Sequence, residues 1–110
     1  MKLQLVILPR AERDVEAIFC YIAERNTKGA LRWLEAFKAA SARTVDFPES
    51  YALAPEHHDN DREIRHFFFR TKRGHIYRGL FVIVEDELRI LRIRGKGQPP
   101  LTHDELELNT

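Results

Sequence analysis

The stretch His75-Ile76-Tyr77-Arg78-Gly79-Leu80-Phe81-Val82-Ile83-Val84-Glu85-Asp86-Glu87-Leu88-Arg89-Ile90-Leu91-Arg92-Ile93-Arg94 decides the fold. It reads as two strands, His75 to Val84 and Leu88 to Arg94, around a compact acidic turn. Branched and aromatic residues fill both runs, which suits a pleated, half-buried surface. The turn is too short for a crossover, so the strands form an antiparallel hairpin. On the first strand Tyr77, Gly79, Phe81 and Ile83 share one face. Ile76, Arg78, Leu80, Val82 and Val84 share the other. Both faces are largely apolar, as in a central strand with a core on one side and a partial second core on the other. On the second strand, strict alternation groups Leu91 and Ile93 with Arg89, and Leu88 and Ile90 with Arg92 and Arg94. That last face begins apolar and ends basic, the pattern of a site rim.

Upstream, Glu63 to Arg70 forms a third strand with Phe67, Phe68 and Phe69 at its centre. Phe67 and Phe69 share a face and read as core. Thr71-Lys72-Arg73-Gly74 turns the chain, with Gly74 free to take a positive φ. Residues 48–61 carry proline, acids and amides without a period, a surface loop. His57, His58, Asp59 and Asp61 in it are metal-ligand types, but neighbours on one loop give poor geometry, and no metal is expected. Two helices precede the loop. The first covers about residues 10–25, with Ala11, Val15, Ile18, Phe19 and Ile22 in one stripe. The second runs from about Lys28 to Asp46. Leu31, Leu34, Phe37, Ala40 or Ser41, and Val45 make its core side, and Trp33 and Ala36 widen it. Asn26-Thr27-Lys28-Gly29 separates them, with Asn26 or Thr27 as cap, and Pro48 closes the pair. So short a link implies an antiparallel helical hairpin. Residues 2–8 read as a strand that ends at Pro9, and residues 102–110 as a short acidic tail, frayed or one helical turn. The order is β-α-α-β-β-β. The expected fold is α+β: an N-terminal strand and helical hairpin packed on a small antiparallel sheet.

A chain of 110 residues fits a single domain, 1–110. No apolar run approaches the roughly 20 residues of a membrane helix, so no membrane is expected. The first apolar run is too short for a signal peptide and meets charged residues at once, which implies a cytoplasmic protein. The single cysteine, Cys20, agrees with a reducing compartment and reads as a buried or half-buried thiol, not a nucleophile. Net charge is only +1, but Arg62 to Lys96 holds ten basic residues against four acids. Such a segment meets nucleic acid or an acidic protein, or lies on a solvated sheet face. Gly95-Lys96-Gly97 lacks the helix and spacing of a phosphate loop, and no cofactor is expected.

Three phrases carry a family resemblance. Ala30-Leu31-Arg32-Trp33-Leu34-Glu35-Ala36-Phe37 resembles the second helix of ParE-type toxins. Leu53-Ala54-Pro55-Glu56, followed by Arg62-Glu63-Ile64-Arg65, resembles their loop into the second strand. Leu88 to Gly95 with Pro100-Leu101-Thr102 resembles their last strand and exit. In order and spacing the phrases resemble the RelE/ParE superfamily, toxins of bacterial type II toxin–antitoxin modules (plasmid stabilization), over roughly residues 3–106. The resemblance implies a cognate antitoxin whose disordered segment wraps and neutralises the toxin, ordering as it binds.

Two branches of that superfamily differ in chemistry. RelE-like members cleave mRNA on the ribosome without a metal, using basic and aromatic groups to activate the ribose hydroxyl and stabilise the phosphate. They resemble this chain poorly at its exit: the position after Gly95-Lys96 is Gly97, no tyrosine follows Tyr77, and the one late histidine is His103. ParE-like members poison DNA gyrase by binding it. The ParE-like reading is preferred, and the protein is read as leaning away from an enzyme. The alternatives are a ribosome-dependent endoribonuclease and a non-toxic binding module of the same fold. As a nuclease its candidates are Arg70, Lys72, Arg73, Arg78, Arg92, Arg94 and Lys96, since arginine clamps phosphate bidentately. For a gyrase or antitoxin contact they are Arg92, Arg94 and Lys96 at the strand end, with Trp33 as core or antitoxin groove.

Overall fold

Strands β3 (Tyr77–Val84) and β4 (Glu87–Gly95) pair antiparallel, as the sequence predicts, and form the middle of a four-stranded sheet. The computed structural model describes residues 2–59, 62–95 and 97–106. The two-residue turn between β3 and β4 places Glu85 at φ 58°, the left-handed value that a primed hairpin turn needs at its first central position. Strand β2 (Arg65–Phe69) pairs antiparallel with β3. Strand β1 (Gln4–Ile7) lies on the far side of β4 and runs parallel to it. The order is therefore β1-β4-β3-β2, and the sheet is mixed. Its last three strands are the antiparallel sheet expected from the chain, and β1 joins them as a parallel fourth strand.

Helix α1 (Pro9–Ala23) starts on a proline, whose missing N–H costs nothing in the first turn. Helix α2 (Thr27–Arg43) is capped by Asn26, whose side-chain oxygen accepts from the Gly29 N–H at 3.0 Å. The two helices pack on each other and on one face of the sheet. Between them and the sheet lies the larger core: Ala11, Trp33, Phe37, Ala40, Phe67, Phe69, Phe81, Leu88, Ile90 and Ile93. Gly79 belongs to the same layer. The Phe67 ring lies over it so closely that a Cβ there would overlap the ring. A second core on the opposite face joins Leu8, Ala54, Ile64, Leu80, Val82 and Leu91 to Leu101 and Leu106. It is closed by the turn Pro55–Asp59 and by α3 (His103–Leu106), the helical turn of the tail. Both faces of β3 are thus covered over its middle, Gly79 to Val82, as its composition implies, while Ile83 near the turn is exposed.

Three expectations are corrected. On α2, Leu31 is 52% exposed while Trp33 is 2% exposed. The inward stripe is Ala30, Trp33, Phe37, Ala40 and Ser41, rotated toward the indole. The largest side chain buries most area, and it finds Phe69 at 5.7 Å and Tyr77 at 5.5 Å between ring centroids. On β4, alternation breaks at a bulge. Leu80 faces Arg92 but Phe81 faces Ile90, so Leu91 is the extra residue. Leu88, Ile90 and Ile93 consequently share the helix side, while Leu91 joins the second core. Finally, Cys20 is exposed, not buried or half-buried.

Candidate functional site

The arginines of the sheet do not form one free cluster, because the fold hands four of them to carboxylates: Arg65 and Arg89 to Glu63 and Glu87 two residues away, and Arg78 and Arg92 to acids distant in the chain. Arg78 sits on β3 and faces the second core. Glu56 comes from the turn Pro55–Asp59, and its side chain is fully buried. Its Oε1 accepts from Arg78 Nη1 at 3.0 Å and its Oε2 from Nη2 at 2.5 Å. Oε2 also accepts from the Leu101 N–H at 3.0 Å, so one carboxylate joins loop, strand and tail. Burial pushes the Glu56 carboxyl up, but the hydrogen bonds from Arg78 and Leu101 and the guanidinium charge outweigh it and hold its pKa below the ordinary value.

Arg92 is taken by Asp14 of α1. Its Nε donates to Oδ2 at 2.7 Å and its Nη2 to Oδ1 at 3.2 Å. Asp14 Oδ2 also accepts from the Ile93 N–H at 2.9 Å. The geometry has a simple cause. The described β1 pairing runs only to Ile90, and the helix that follows brings a carboxylate to the strand edge that β1 leaves open.

Arg94 is the cross-strand neighbour of Arg78. Its Nη2 donates to the Pro99 carbonyl at 2.9 Å, and its Nε is buried without an acceptor. Burial, then the Arg92 charge, lowers its pKa from the usual value. Across β3, on β2, lies His66, paired with Leu80 and within reach of the Arg78 charge, and its Nδ1 is likewise buried and unpartnered. Burial and the Arg78 charge lower the His66 pKa, against a smaller opposing pull from Glu56, so the ring is held neutral. Phe68, Ile76, Arg78, Arg94 and Gly95 border a depression of about 240 Å³. Phe68 is 58% exposed and its ring lies 4.7 Å from that of His66.

On the helix side a longer groove of about 360 Å³ runs between α1, α2 and β1. Val15, Phe19, Leu34, Phe37 and Ile7 make its apolar walls, with Glu12, Glu16 and Lys38 on the rim. Beside it lies the outer edge of β1. Gln4 and Leu8 N–H groups point to β4, so alternation turns those of Leu5 and Ile7 outward.

Residues 5–100 match the family of ParE toxins of type II toxin–antitoxin systems, parDE. The chain belongs to the ParE toxins. Eight chains of solved structures also match it. One, from a chromosomal ParDE toxin–antitoxin system of P. aeruginosa, superposes with a TM-score of 0.67. It is 18% identical, and the match covers 86% of this chain and 96% of that one, a likeness of fold. No curated protein matches the chain.

In this ParE toxin the residues chosen from sequence are scattered. Arg78 and Arg94 meet at the second-face depression. Arg92 lies at the sheet edge with Asp14, and Trp33 is in the core on the other side of the sheet. Arg70, Lys72 and Arg73 are exposed beyond β2, and Lys96 lies outside the described residues. Of the His/Asp loop, His57 uses its Nδ1 against the Arg62 carbonyl at 3.0 Å, and Asp61 is outside the described residues. Sequence reasoning missed Glu56 and Asp14. Their partners lie 22 and 78 residues away, and no local pattern marks such a pair.

Proposed function

We propose that this ParE toxin arrests growth by binding and poisoning DNA gyrase, with no chemistry of its own, and that a cognate antitoxin neutralises it. The observation that carries this reading is the pairing of Arg78 with Glu56 and of Arg92 with Asp14. A ribonuclease needs its guanidinium groups aimed at phosphate, and here two of the candidates are already engaged by internal carboxylates. Each pair holds distant segments together, so these arginines build the surface and do not act on a substrate. Arg94, with Lys96 two residues further in the sequence, serves the target contact.

The antitoxin takes the groove between α1 and α2. Its apolar walls suit an amphipathic helix, and Glu12, Glu16 and Lys38 set the charge pattern of the partner's flanks. The open edge of β1 alongside offers backbone pairing to an extended part of the same segment. On this reading, with an intracellular target, the protein acts in the cytoplasm.

The test is a viable count after brief induced expression without antitoxin, with transcript 5′ ends mapped in the same culture and gyrase supercoiling assayed with purified toxin. Loss of viability with intact transcripts and blocked supercoiling is expected. New codon-phased transcript ends with normal supercoiling would replace this reading with an endoribonuclease. Normal growth with soluble protein and active gyrase would leave a non-toxic binding module.

A further inference from the structure

The end of the sheet where β2 leaves and β3 enters holds a cleft that neither partner above uses. It has a volume of about 260 Å³ and is walled by the last turn of α1, the start of α2 and the connection between β2 and β3. Arg32 and Arg73 line it from opposite walls, with His75 beside them, and no carboxylate is among its described lining residues. Arg32, Arg73 and His75 are exposed, and none has an ion pair or side-chain hydrogen bond among the described residues. They differ in this from Arg78 and Arg92. Lys28, Arg70 and Lys72, adjacent in the chain and exposed, extend the same basic end. The acidic turn Glu85-Asp86-Glu87 is at the far end of β3 and does not neutralise it.

The cleft is also aromatic. Tyr21 is 59% exposed, and Arg25 lies 4.2 Å from its ring centroid. Tyr77 continues the wall, and Trp33 behind it carries a buried indole N–H with no acceptor. Unpaired cations select an anion. The aromatic wall selects among anions, because a carboxylate chain meets the guanidinium groups but leaves idle the Tyr21 face that Arg25 does not cover. A phosphate carrying a planar base engages both. A duplex keeps its bases stacked and out of reach of a concave wall, whereas a single strand offers them.

We propose that this cleft binds single-stranded nucleic acid, with backbone phosphate on Arg32 and Arg73 and a base against Tyr21. The contact needs no gyrase, so its failure and that of the gyrase reading are separable. The test is fluorescence anisotropy with the full chain, alone, at low salt. The probes are a labelled single-stranded DNA oligomer, the RNA of the same sequence, the duplex, and a polyglutamate peptide. A single strand is expected to bind in preference to the duplex and the peptide, and to weaken as salt rises. The Arg32→Ala/Arg73→Ala variant and the Tyr21→Ala variant are each expected to lose roughly tenfold in affinity at unchanged melting temperature. A preference for DNA or for RNA then names the source of the strand. Absence of single-strand binding, equal binding of duplex or polyglutamate, or unaltered affinity in both variants overturns the proposal.

Discussion

A single carboxylate, Glu56, shows how a charge is kept inside a small protein. Isolated, it would be costly to bury; with two bonds from Arg78 and one from the Leu101 N–H it is held ionised. Such a pair is weak evidence for stability as a whole, but removing one partner is severe. Arg78→Met is therefore expected to destabilise the fold by about 3–5 kcal/mol in urea unfolding. The Glu56→Leu/Arg78→Met double variant should recover much of that, because no charge is then left behind. A single variant as stable as wild type would mean that the pair holds nothing together. Arg92 follows the same logic, at a site with 12% and 18% exposure of the two side chains. Alanine at Arg92 disturbs Asp14 and the Ile93 N–H together, so toxicity lost in a variant that includes it reports on folding as much as on target contact. Arg94 is the cleaner probe of the strand end. These residue-scale roles were not legible in the chain. Arg78 and Arg92 look alike there, and only the distant acids tell them from the unpaired Arg32 and Arg73.

At the scale of elements, the helices and strands were legible because their signals are local. Periods of apolar residues, Pro9 at a helix start, the Asn26 cap and the Glu85-Asp86 turn lie within a few residues of what they control. What escaped is what one element does to another. The bulge at Leu91 moves Ile93 to the helix side, and alternation read along one strand has no way to announce an inserted residue. The rotation of α2 that buries Trp33 and exposes Leu31 is likewise set by the rings waiting on β2 and β3. Gly79 belongs here too, because its lack of a side chain makes room for Phe67 from the neighbouring strand. Gly79→Ala is expected to cost about 1–3 kcal/mol by pushing the ring off its site, measured by thermal or urea unfolding. A neutral or stabilising alanine would show that the Phe67 ring shifts freely, against the packing described.

At the scale of the whole molecule, a half-buried histidine and a buried carboxylate set how the fold answers to acid. His66 has a pKa below its ordinary 6.5 and Glu56 one below its ordinary 4.5. For each, the unfolded chain takes up a proton before the folded one does, so stability falls as pH falls. The melting temperature is expected to decline first below about pH 6.5, from His66, and more steeply below about pH 4.5, as Glu56 is protonated. A flat melting temperature between pH 7 and pH 5 in the wild type, or a decline there that persists in full in His66→Gln, would sink the first part. By itself the sequence determined the order β-α-α-β-β-β, the antiparallel hairpins of the last three strands and the family, because each rests on contacts between near neighbours or on ordered short phrases. Only the tertiary structure decided that β1 lies parallel beside β4, that Glu56 and Asp14 take two of the arginines, and that Arg32 and Arg73 share a cleft. Those depend on pairings across tens of residues, where many partners are chemically equivalent and packing alone selects one.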